Sequence, residues 1–196
     1  MSPRKRNSTP ALTCLSQTVI GLTGARRGSI PEHVLLPLIY TCCRFGHRFY
    51  VSDAPGVDAC FRSELEIIAA PKTTVFCASA IRARSFRAAG FQVRRMNRNG
   101  LSVTHTLHQR TVAMVTECSI LVLLPDDPRT GTWDESSRIA FNVAVQLHKP
   151  VFVVTTAPPL DTAQFRVFSA SLFGVVSGYW ALPFGVGVPA LDGDSL

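Results

Sequence analysis

Short β-branched or aliphatic runs alternate with longer stretches of helical periodicity along this chain, and that alternation limits the fold more than any other feature. It predicts strands at 18–22, 48–52, 74–78, 91–95, 119–124 and 150–155, with helices filling the gaps. Strands separated by helix-length connections pair in parallel, so the expected class is α/β, with a central, mostly parallel sheet flanked by helices. Ile120-Leu121-Val122-Leu123-Leu124 has the unbroken apolar pattern of a strand buried on both faces. Ile139, Ala140, Val143, Ala144 and Leu147 fall on one face of a helix over 134–147, the spacing of a helix packed on a sheet. Residues 1–14 read as a flexible basic tail, 15–181 as one domain, and 182–196 as a loosely packed Pro/Gly-rich end.

A chain of 196 residues with 46% hydrophobic content can bury one sizeable core, and no composition signature of disorder or collagen is present. Its net charge of +7 is unevenly placed. Arg4, Lys5 and Arg6 carry part of it, and Arg82, Arg84, Arg87, Arg94, Arg95 and Arg98 follow one another without an intervening acid, so the remainder is net negative. Such concentration points to an anionic partner near that segment, or to a solvated helix face and edge strand. Phe86 and Phe91, set among these arginines, would stack on bases or serve the core. The six cysteines form no Cys-x-x-Cys pair and read as reduced core residues. No apolar run reaches membrane-spanning length, so no membrane partner is expected. The first 24 residues loosely mimic a signal peptide, but Thr13, Ser16, Gln17 and Thr18 interrupt the apolar stretch. A cytoplasmic protein is expected, with an organelle transit peptide as the alternative.

In open parallel sheets, ligands bind outside the carboxyl ends of the strands, which directs attention to the loops there. The first is Thr23-Gly24-Ala25-Arg26-Arg27-Gly28, where Gly24 permits close backbone approach and Arg26 or Arg27 can reach a phosphate. Asp53-Ala54-Pro55-Gly56-Val57-Asp58 follows the second strand, and Ser79 and Ala80 follow the third. After Leu124 comes a loop containing Arg129, Gly131 and Thr132 that opens the helix carrying Glu135. A strand feeding a helix through such a loop aims unpaired N–H groups at one point, where the helix dipole also favours an anion. Arg110 would add a forked cationic donor there and Glu135 a carboxylate.

Read in order, these segments resemble the SLOG superfamily of Rossmann-like proteins over roughly residues 17–156. Thr106-Leu107-His108-Gln109-Arg110 followed by Met114 is similar to the Met-His-Glu-Arg-Lys segment of the lonely-guy phosphoribohydrolases, and Gly131-Thr132-Trp133-Asp134-Glu135 to their Gly-Thr-x-x-Glu. That resemblance implies Arg110 and Glu135 as a catalytic pair, and a homodimer. Gly24-Ala25-Arg26 and Gly56-Val57-Asp58 look more like the Gly-Ser-Arg and Gly-Ile-Asp segments of the DNA-processing protein A family. The chain departs from the lonely-guy pattern in the longer Pro125-Asp126-Asp127-Pro128-Arg129-Thr130 stretch and in Thr111, which stands where that family has lysine. Asp126 and Asp127 would each repel an anion by ~1 kcal/mol in a partly solvated site.

Each residue has a plainer role to set against the ligand role. Thr132 with Glu135 also forms a capping box, Asp58 also caps a helix, and Arg110 also fits an exposed helical arginine. His105 and His108 lack a third ligand with metal spacing, so no metal is expected, and nothing in the sequence calls for a cofactor. Three functional readings follow. The leading one is a nucleotide-binding protein in which Gly24, Arg26, Gly56, Asp58, Arg129, Gly131 and Thr132 take the phosphate and ribose. The second is a phosphoribohydrolase splitting the N-glycosidic bond of a nucleoside 5′-monophosphate, with Glu135 stabilising an oxocarbenium-like transition state and Arg110 holding the ligand. The third is a DNA-processing protein A-like binder of single-stranded DNA.

Overall fold

The computed structural model describes residues 18–96, 102–125, 133–156 and 165–189. Six strands run parallel: β1 (Val19–Gly24), β2 (Arg48–Ser52), β3 (Thr73–Cys77), β4 (Gln92–Arg95), β5 (Ile120–Leu124) and β6 (Val151–Val153). An antiparallel hairpin of β7 (Phe165–Leu172) and β8 (Val176–Pro183) joins β6, giving the order β4-β3-β2-β1-β5-β6-β8-β7. Among the described residues five α-helices flank this sheet: α1 (Glu32–Arg44), α2 (Val57–Ile68), α3 (Ala80–Ala88), α4 (Val103–Glu117) and α5 (Glu135–Gln146). The protein is thus α/β, a single Rossmann-like domain with a mostly parallel sheet.

Apolar residues divide the core into two layers. Leu35, Leu38 and Ile39 of α1 and Phe61 and Leu65 of α2 pack with Ile20, Leu22, Phe49 and Val51 on one face of the sheet. Met114 and Val115 of α4 and Ala140, Phe141 and Ala144 of α5 pack with Leu121, Leu123 and Val153 on the other. β5 is buried along its whole length, as an unbroken apolar strand between two helical layers must be. β4 is one edge of the sheet, and it presents Arg94 and Arg95 to solvent.

The connections from β1 through β4 carry α1 and α2 on one face, whereas α4 and α5 occupy the other. Strand order therefore reverses between β1 and β5, which splits the loops after these neighbours apart and opens a crevice at their carboxyl ends.

Leu182 and Pro183, where the Pro/Gly-rich end was expected to begin, belong to β8, and Leu182 is fully buried. Trp180 of β8 packs edge-on against Phe152 of β6, with ring centroids 5.1 Å apart, which anchors the hairpin to the parallel sheet. Cys42, Cys77 and Cys118 are buried thiols, and the five cysteines among the described residues are all unbridged. No helix among the described residues is long and apolar enough to cross a membrane.

Candidate functional site at the carboxyl rim of the sheet

The loops after β1 and β2 interlock before any ligand is considered. Val57 N–H donates to Ala25 O at 3.0 Å, and Ala25 N–H donates to Leu124 O at 3.1 Å, tying the ends of β1, β2 and β5 together. Both glycines expected to approach a phosphate instead permit these loop-to-loop contacts. A Cβ on Gly24 would lie 2.3 Å from Leu124 O, and one on Gly56, whose φ is +74°, would lie 2.3 Å from Ala25 O.

Asp58 sits in the first turn of α2 and is 1% exposed. Its carboxylate accepts from Thr23 Oγ1 at 3.0 Å, from Gly24 N–H at 3.2 Å and from the Ser52 hydroxyl. Burial pushes its pKa up, and the hydroxyl of Ser52 and the charge of Arg110 only partly counter that. Arg62 adds bonds to Ser52 O and Ala54 O, so a buried polar hub fixes the geometry of the β2 loop. In this hub Asp58 binds backbone and hydroxyl groups of the protein.

Asp53, at the end of β2, organises the next layer. It is 2% exposed and accepts from Arg110 Nη1 and from Ala78 N–H at 3.2 Å. Arg110 is itself 3% exposed, because Thr106, Arg110 and Met114 share the face of α4 that turns to the sheet. The exposed-arginine alternative is therefore not what the fold makes of it. Cys77 Sγ lies 3.2 Å from Asp53 Oδ2, and burial together with that carboxylate raises its pKa to about 11. Arg82 reaches back from α3 to donate to Asp53 O at 2.9 Å. Ser79 caps α3 by accepting from Arg82 N–H at 3.4 Å.

At the start of α5 the cap is Asp134, not Thr132. Its carboxylate accepts from Ser137 N–H at 2.8 Å, from the Ser136 hydroxyl at 2.8 Å and from Arg26 N–H at 2.9 Å. Burial works against its charge, but the N–H groups of Arg26 and Ser137 outweigh that, and its pKa is lowered. The helix begins at Glu135. Arg129, Gly131 and Thr132 lie outside the described residues.

Two adjoining clefts open on this rim. The larger, about 810 Å³, is bordered by Arg26, Arg27, His105, His108, Asp134 and Glu135 among others. The smaller, about 330 Å³, is bordered by Arg26, Asp53, Ser79, Arg82, Leu107 and Arg110 among others. Arg26 and Leu107 stand between the two. The structure thus brings Arg26, Arg110 and Glu135 to one rim, but Arg110 and Glu135 face different clefts. Gly24, Gly56 and Asp58 line neither. Asp53 and Asp134 were not among the residues expected at the site, and Arg82 was expected only as part of the arginine-rich segment. The signal for the two acids was positional only: Asp53 directly follows the end of β2, and Asp134 directly precedes a helix.

The edge arginines divide. Arg94 pairs with Glu117, and the exposed Arg82 donates to Asp53 O, whereas Arg84, Arg87 and Arg95 are exposed with no acidic partner among the described residues. Phe86 and Phe91 pack edge-to-face on each other at 6.1 Å, and Arg62 lies over the Phe86 ring at 5.3 Å, so these rings serve the fold. No set of three His, Cys, Asp or Glu side chains among the described residues could hold a metal ion.

The fold is similar to a solved structure of DNA processing protein A from Helicobacter pylori, with a TM-score of 0.55. The match covers 71% of this chain and 66% of that one, at 14% sequence identity. That structure was described for its unique single-stranded DNA binding mode. No protein-family model matches the chain. No curated protein matches it either.

Proposed function

We propose that this protein binds a nucleotide or nucleotide-derived small molecule in the rim clefts, through its phosphate and ribose. The observation that carries this reading is the convergence of three arginines, Arg26, Arg82 and Arg110, on joined clefts at the topological switch between β1 and β5. Together the clefts suit a ligand with an anionic end and a hydroxyl-rich body. Glu135 and Asp134 border the larger cleft, where their oxygens accept from ribose hydroxyls. The division of Arg110 and Glu135 between clefts favours binding over cleavage of the glycosidic bond. Calorimetric titration with a panel of nucleosides and their mono-, di- and triphosphates tests the proposal. Saturable binding that needs both sugar and phosphate is expected, and no heat from any member up to millimolar concentration refutes it.

A second reading, single-stranded DNA binding, is favoured by Arg84, Arg87 and Arg95, which are exposed with no acidic partner among the described residues, and by the similarity to DNA processing protein A. Each phosphate neutralised on a single strand contributes roughly −0.7 to the slope of log affinity against log salt, so three arginines correspond to a slope of about −2. A flat salt response of oligonucleotide binding excludes this interface.

A further inference from the structure

The two clefts differ in charge. Three arginines and one carboxylate border the smaller, whereas two arginines and two carboxylates border the larger. The helix start that would ordinarily attract a phosphate, that of α5, already holds the carboxylate of Asp134, which uses the Ser137 and Arg26 N–H groups. A second anion there would face that charge directly. The start of α3 is different. Ser79 takes the N–H of Arg82, and the N–H groups of Ala80 and Ile81 have no acceptor among the described residues.

Arg110 supplies the independent observation. It lines the smaller cleft, is 3% exposed, and has a buried Nε–H with no acceptor. Asp53 engages only Nη1, and Asp53 is itself occupied by Ala78 N–H and held against Arg82. The opposite edge of the guanidinium, Nε with Nη2, is the edge that forms paired bonds to the oxygens of a phosphate. Asp53 therefore fixes the arginine by one end and leaves its other edge without a partner among the described residues.

Resting on the nucleotide reading above, we infer that the smaller cleft is a phosphate subsite formed by Arg82, Arg110, Arg26, Ser79 and the start of α3. A nucleoside 5′-monophosphate enters with its phosphate toward α3 and its ribose and base toward α5. This orientation places the anion among the arginines and the hydroxyls beside Asp134 and Glu135. It also moves the phosphate away from the α5 start, where the loop pattern alone would have put it.

The test uses the whole chain, titrated with inorganic phosphate, adenosine and guanosine 5′-monophosphates, and the corresponding nucleosides. Arg110→Met risks misfolding, so Arg82→Ala and Ser79→Ala are the variants, with Arg44→Ala on α1 as a charge control. Arg82→Ala is expected to weaken phosphate and the monophosphates about tenfold alike, with nucleoside affinity and thermal unfolding preserved. Equal monophosphate affinity in wild type, Arg82→Ala and Ser79→Ala overturns the subsite while leaving the nucleotide reading standing. Arg82-dependent binding of inorganic phosphate without any gain from the nucleoside supports the subsite and refutes the nucleotide reading. No binding of phosphate, of either monophosphate or of any other member of the nucleotide panel to the wild type overturns both.

Discussion

Removing Asp53 should destabilise the fold far more than an ordinary loop substitution. Asp53→Ala strips the counter-charge from Arg110, which is 3% exposed and whose Nε–H already lacks an acceptor. It also orphans the N–H of Ala78 and removes the carboxylate 3.9 Å from Arg82, whose bond to Asp53 O is to backbone and survives. Breaking a buried pair from one side costs about 3–5 kcal/mol, because the surviving charge stays desolvated. For a domain of this size each kcal/mol moves Tm by roughly 2–4 °C, so a fall of about 6–20 °C is expected. Arg110→Met should cost less, since Asp53 keeps Ala78 N–H and the neighbouring Arg82. The double variant should then be more stable than the sum of the single losses predicts, by an interaction of about 0.5–3 kcal/mol. Urea and thermal unfolding followed by circular dichroism measure all three. An Asp53→Ala loss below about 0.5 kcal/mol, or strict additivity in the cycle, refutes the claim that this pair is a coupled, buried unit.

Asp134→Ala should cost about 0.5–2 kcal/mol, the worth of a helix N-cap. Because the folded pKa of Asp134 is lowered, its contribution is present above the unfolded carboxylate range and is lost as pH falls through the folded value, so wild type and variant should converge below about pH 4 in urea midpoints. Gly56→Ala forces a side chain to φ +74° and against Ala25 O; a loss above about 1–3 kcal/mol and weaker nucleotide titration are expected, and an unchanged melting curve would contradict the interlocked loops. Cys77 and Cys118, with pKa values raised to about 11 and about 12, chiefly by burial, should resist alkylation at pH 8 while half-buried Cys43 and Cys60 react first, as mass mapping of the labelled peptides would show.

The parallel strands were legible because each is a local pattern. Ile120–Leu124 is apolar without a break, and the helix that follows shows its sheet-facing stripe within twelve residues. The β7–β8 hairpin was not legible. Its turn runs through Phe173 and Gly174, both at positive φ, and Phe at φ +55° carries none of the Asn-Gly or Asp-Gly signals that mark such turns. Its strands join the sheet because Trp180 finds Phe152, a partner distant in sequence. The α5 cap was misplaced for a similar reason: Thr132 and Asp134 are both good capping residues, and the bond from Arg26 N–H, 108 positions away, accompanies the choice of the second.

What the residues by themselves determined is a parallel α/β sheet and the set of loops at its carboxyl rim, since apolar periodicity and strand-helix alternation act over short stretches. Only the tertiary structure decided which charges meet. Asp53 and Arg110 are 57 positions apart, and they pair because the order of strands brings the end of β2 beneath α4. Burial then turns that encounter into a fixed arginine, because a buried charge must keep its partner.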